Sequence, residues 1–125
     1  PAAGRPAAGG VLLMRQEVWF SGKSARMITV GGSGKDAFVH REWRTGDVPI
    51  LKWYQQFGLH GVVQSLAYGG GEKWDYGVGR DQAIAIIERW RKACRRDGYR
   101  KLGRLEGTIG HMVPIEDYGI EGGLA

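Results

Sequence analysis

The stretch that decides the fold is RDQAIAIIERWRKACRRDG, residues 80–98. At 100° per residue, Ala83, Ile86, Ile87, Trp90, Ala93 and Cys94 fall within about 120° of arc, with Ile84 just outside it. Arg89, Arg91, Lys92, Arg95 and Arg96 take the opposite side. Gly98 stands where a left-handed C-terminal cap belongs. This spacing predicts one amphipathic helix over residues 80–97, its apolar face on a sheet and its basic face outward.

Outward from that helix, the chain reads as short strands broken by glycine. Residues 12–20 meet Ser21-Gly22, and residues 25–30 return to a Gly31-Gly32-Ser33-Gly34 turn. Residues 37–44 set Phe38, His40 and Glu42 against Val39, Arg41 and Trp43, the two-residue period of a strand with unlike faces. After the Thr45-Gly46-Asp47 turn, residues 50–57 and 61–68 read as two more strands. The fold class expected is α+β, an antiparallel sheet of about four to six strands packed by one main amphipathic α-helix.

Length and composition set the frame. The chain has 125 residues and 13.8 kDa, 42% hydrophobic and 25% charged, which suits one globular domain. No apolar run approaches the ~18 residues of a membrane span. Glycine, at 22 residues, is far above its usual ~7% share but shows no collagen period. Residues 1–13 read as a flexible leader or a segment foreign to the native chain, 14–119 as the domain, and 120–125 as an acidic, glycine-rich tail. The single Cys94 cannot close an internal disulfide, which favours a reducing, cytoplasmic setting, with nucleoid or nucleus compatible.

The net charge of +5 is unevenly spread. Residues 1–79 hold nine Lys/Arg and six Asp/Glu, residues 80–105 nine against three, and residues 106–125 none against four. A +6 segment followed by a −4 segment implies an anionic partner more directly than it implies a fold.

Motifs for catalysis are weak. Gly22-Lys23-Ser24 ends like a phosphate loop, but Glu17 occupies the position of its first glycine. Gly34-Lys35 is followed by Asp36, with Thr29 at the first position. Neither leads into the helix whose N-terminus would face phosphate. His40, His60 and His111 are far apart, without a helical His pair or nearby Cys ligands, so no metal and no cofactor is expected. Cys94 projects from the apolar helix face as a core residue. No enzyme is expected.

The basic helix has two readings. Lys/Arg-rich exteriors are often merely solvated. Against that, Glu88 and Asp97 are its only interior acidic candidates, and Arg100, Lys101 and Arg104 extend the patch, so phosphates would relieve the like-charge repulsion. Trp43, Trp53, Tyr54, Phe57, Tyr68, Trp74, Tyr76 and Trp90 supply the core, and one or two of them left exposed near cations would stack on a base or sugar.

A family resemblance runs along the same residues. Gly22-Lys23-Ser24 begins a return strand; FGLHG (residues 57–61) is followed by Gln64-Ser65-Leu66, an aromatic at Trp74 or Tyr76, and DQAIAIIERW in a helix ending DGY. VPIEDYG (residues 113–119) follows. This arrangement resembles the WGR domain of DNA-dependent poly(ADP-ribose) polymerases and small bacterial proteins, over residues 14–119. The resemblance implies a sheet carrying one helix and a role at DNA strand ends. Here Phe57-Gly58-Leu59 replaces Trp-Gly-Arg: Phe57 keeps a flat ring, while Leu59 lacks the guanidinium fork. His60, Arg100 or the helix cations would then supply the charge.

The expected function is therefore non-catalytic binding of nucleic acid, DNA more than RNA. Arg89, Lys92, Arg95, Arg96, Arg100 and Lys101 would contact phosphates, and Phe57 and His60 would form an aromatic edge. The alternative is a protein-interaction adaptor or inhibitor using the basic patch and the acidic segment. In that case residues 106–125 would pair with the basic helix, within the chain or in a second copy. Duplex, single strand and RNA all stay open as targets.

Overall fold

The computed structural model describes residues 13–32, 38–69, 71–78, 80–108 and 110–118; the side chains at 13, 38–40, 73–78, 80, 81, 83 and 84 are not among those described. The elements run β1 (Leu13–Ser21), β2 (Ser24–Gly32), β3 (Phe38–Thr45), α1 (Ile50–Tyr68), β4 (Glu72–Val78), α2 (Arg80–Arg96), β5 (Arg100–Thr108) and β6 (His111–Glu116). The six strands form one antiparallel sheet in the order β4-β3-β2-β1-β5-β6. The α+β class and the strand count agree with the sequence. Among the described residues, no helix is long and apolar enough to cross a membrane.

Alternation along the strands sorts the core into two clusters, one on each sheet face. Val18, Phe20, Ala25, Met27, Trp43, Leu102 and Leu105 point to one face and pack against Ile50, Tyr54, Leu59, Val62, Val63 and Leu66 of α1. Trp19, Ile28 and Val30 point to the other, under Trp90 and Cys94 of α2. The pairing Val18↔Met27 beside Glu17↔Ile28 and Trp19↔Arg26 shows both faces in one register. The molecule has three layers: α1, sheet, α2.

The strands expected at residues 50–57 and 61–68 are instead the single element α1, so the sheet carries two helices rather than one. The reason is local. Gly58 takes φ 69, ψ −175, breaking the helical run, and a Cβ at Gly61 would overlap the Phe57 side chain. The apolar face changes phase across that break. Ile50 and Tyr54 are buried before it; Leu59, Val62, Val63 and Leu66 are buried after it. On one continuous wheel those two arcs lie roughly 150° apart, so no single amphipathic stripe exists to be read.

α2 ends as the sequence predicts. Gly98 has φ 83, its N–H donates to Arg95 O at 3.1 Å, and Tyr99 N–H donates to Cys94 O at 2.8 Å. That pair of bonds is the Schellman pattern, and Tyr99 packs beside Cys94 as its apolar partner.

At the other side of the sheet, the register between β1 and β5 shifts between Val18 and Trp19, leaving Leu102 as an extra residue. Leu102 is fully buried, and its carbonyl accepts from both Asp117 and Tyr118 N–H groups at 3.1 Å. Residues up to Thr108 complete β5, His111–Glu116 form edge strand β6, and Tyr118 is buried beyond it. Lys35, the rest of residues 33–37, residues 1–12 of the leader, Gly119 and the 120–125 tail lie outside the described residues. So do the side chains of His40, Trp74 and Tyr76.

Candidate nucleic-acid interface

The outer face of α2 holds Arg89, Lys92 and Arg96 in line at helical spacing, with Arg95 on its flank; all four are exposed. From Arg89 to Arg96 the line covers about 10 Å. Arg89 and Lys92 form no ion pair among the described residues. Arg96, whose side chain is 74% exposed, lies 3.4 Å from Asp97. Arg95 sits over the Trp19 ring, 5.7 Å from its centroid. Glu88 is exposed on the same helix. Arg95 and Arg96 also complement the negative end of the helix dipole.

Arg91, counted with this basic face in the sequence, turns inward. Its Nε donates to Glu17 Oε2 at 2.9 Å and its Nη2 to Oε1 at 2.7 Å. Glu17 has no exposed surface, and its Oε2 also accepts from the Trp19 indole N–H at 2.8 Å. Burial pushes the Glu17 carboxyl up, but the hydrogen bonds from Arg91 and Trp19 outweigh it and hold the group below its ordinary value. The same bonds raise Arg91. One sequence signal pointed here: Arg91 is four residues after Ile87 and three before Cys94, on the edge of the apolar face.

The C-terminal end of α2 is anchored by a second pair. Arg26 Nη1 lies 2.9 Å from Asp97 Oδ2, and the Arg26 guanidinium stacks 4.1 Å from the Tyr99 centroid. The Arg26 bond holds Asp97 below its usual range. Between the two anchors, Cys94 is buried and its thiol is pushed up to about 11 by burial.

The remaining expected site residues do not join the α2 group. Lys101 is on the same sheet face, opposite Trp19, but its Nζ is 3.6 Å from Asp117. Arg104 lies between Glu106 at 3.4 Å and Asp117 at 3.6 Å, and Arg15 bonds Glu106 at 2.6 Å. The acidic segment thus pairs, in its described part, with cations of β1 and β5. Arg100 pairs with Phe20 and stacks on Tyr118, 4.6 Å from its centroid, on the α1 face.

Phe57 and His60 are on α1, in the opposite layer from α2. The Phe57 side chain is exposed (58%) beside the break at Gly58. The His60 Nε2 is 3.1 Å from the Met112 carbonyl oxygen of β6, which can only accept. With three layers of about 10 Å each, the aromatic edge and the outer face of α2 are on the order of 20–30 Å apart. The two groups thus belong to helices on opposite faces of the sheet.

A cleft of about 210 Å³ between the end of β3 and α1 is lined by Thr45, Val48, Trp53, Ser65, Leu66 and glycines, none of them ionisable. Among the described residues, no three His, Cys, Asp or Glu side chains come together as a metal-ligand set.

Compared with protein-family models, curated proteins and solved structures, the chain matches none.

Proposed function

We propose that this protein is a non-catalytic nucleic-acid-binding module, DNA being the favoured ligand, and that it binds through the outer face of α2. The observation that carries this reading is the alignment of Arg89, Lys92 and Arg96, flanked by Arg95, on a helix fixed to the sheet at two points. On β1 and β5, three cations are matched by carboxylates: Arg15, Lys101 and Arg104 share Glu106 and Asp117. The contrast matters, because a cation that already has a carboxylate gains little from a phosphate, whereas Arg89 and Lys92, which form no ion pair among the described residues, gain a counter-charge and release condensed counterions. Contacts of this kind position a backbone without reading sequence.

The likeness of FGLHG to a WGR segment stays a proposal about kinship. In this chain both glycines serve the break in α1, and the interface proposed does not include Phe57 or His60.

Fluorescence anisotropy with labelled single-stranded DNA, duplex DNA and RNA across a salt series tests the function. Four cations on a duplex predict log K falling against log salt with a slope of roughly −3 to −4. Absence of binding at low salt to all three probes would reject the reading.

A further inference from the structure

A buried ion pair is a poor way to gain stability alone, since an apolar pair of similar volume holds a helix on a sheet at least as well. Its distinguishing property is direction. Trp90, Cys94, Ile86 and Ile87 rest on Trp19, Ile28 and Val30, a contact that resists separation but constrains helix rotation weakly. Trp19 and Trp90 meet edge to face, with centroids 6.2 Å apart. The Arg91 fork on both oxygens of Glu17, at 2.7 and 2.9 Å, admits one rotation and one depth. Glu17 itself cannot swing, because Trp19 holds Oε2 and no surface of the residue reaches solvent.

We infer that Glu17, through Arg91, is a positioning residue for the interface: its buried carboxylate fixes the rotation of α2 and so the arrangement in which Arg89, Lys92 and Arg96 meet phosphates. This rests on the nucleic-acid reading above. It assigns a binding role to an anion that cannot touch a polyanionic ligand and that, by charge alone, opposes its approach.

Those two effects have opposite signs, which makes the inference testable. Glu17→Gln raises the net charge by one, so long-range attraction alone predicts tighter binding to duplex DNA. Positioning predicts binding roughly tenfold weaker, with a salt slope shallower by about one as a phosphate contact drops out. A merely destabilised protein would lose active fraction with its slope unchanged. The double variant Glu17→Leu/Arg91→Leu keeps the site apolar and filled, and carries the test if Glu17→Gln does not fold; it too should bind more weakly with a shallower slope. In the absence of DNA, hydrogen exchange in the Glu17→Gln protein should quicken more in α2 than in β1 and β2. Unchanged exchange in α2, or equal or tighter DNA binding with the wild-type slope, would overturn the inference. Failure of the wild-type protein to bind would instead reject the proposed function, while the exchange measurement would still decide the role of Glu17 in holding α2.

Discussion

Glu17 survives without solvent because three donor groups reach it, two from Arg91 and one from Trp19. Removing either charged partner should cost about 3–5 kcal/mol, since the other is left buried without compensation. The sign of its pH dependence follows. The folded-state carboxyl lies below its ordinary value of 4.5, so its contribution is fully present above that value and is lost as pH falls through the lower, folded value. The thermal midpoint should therefore drop in acid, and the Glu17→Leu/Arg91→Leu protein should show a flatter acid limb; equal acid limbs would contradict the assignment. Cys94 offers a second check at this scale. Buried and pushed up to about 11, its thiol should resist a disulfide reagent in the native protein and react once denaturant is added.

Among the elements, α1 and α2 differ in how openly the sequence declares them. α2 carries an unbroken apolar arc and a glycine at its cap, and both are found where the pattern puts them. α1 contains two glycines and a phase change, so residues 50–57 and 61–68 look like strands when each glycine is treated as punctuation. Taken apart at Gly58, its second half shows the helical spacing of Leu59, Val62, Val63 and Leu66. The break itself lies at Gly58, whose φ 69 and ψ −175 are outside the helical region, while both halves contribute to one core cluster. Gly58→Ala should destabilise the protein by about 1–3 kcal/mol, because φ 69 with ψ −175 belongs to glycine almost alone. A chemical-denaturation midpoint unchanged by that substitution would refute the strain.

At the scale of the whole molecule, strand order decides what the candidate site can be. Residues 80–105 read as one basic segment, yet the fold divides them: Arg89, Lys92, Arg95 and Arg96 of α2 are exposed and Arg91 turns inward, while Lys101 and Arg104 of β5 meet carboxylates from residues 106–117. Charge counting could locate the patch but not this division, which depends on β5 and β6 pairing side by side. The same topology places Phe57 and His60 a full sheet away from α2, a separation invisible in a linear sequence. It also changes what truncation means. Removing residues 106–125 would strip Tyr118, β6 and the end of β5 from the core, so that variant should lose cooperative unfolding rather than expose a latent binding face. Nucleic-acid binding, the proposed function, rests on one face of the molecule, the outer side of α2. The most direct test compares duplex DNA binding by Lys92→Glu/Arg95→Glu/Arg96→Glu with binding by Phe57→Ala/His60→Ala at one low salt concentration. The α2 variant should lose binding while remaining folded, and the α1 variant should keep wild-type affinity. Undiminished affinity in the α2 variant, or loss confined to the α1 variant, would contradict the proposed interface.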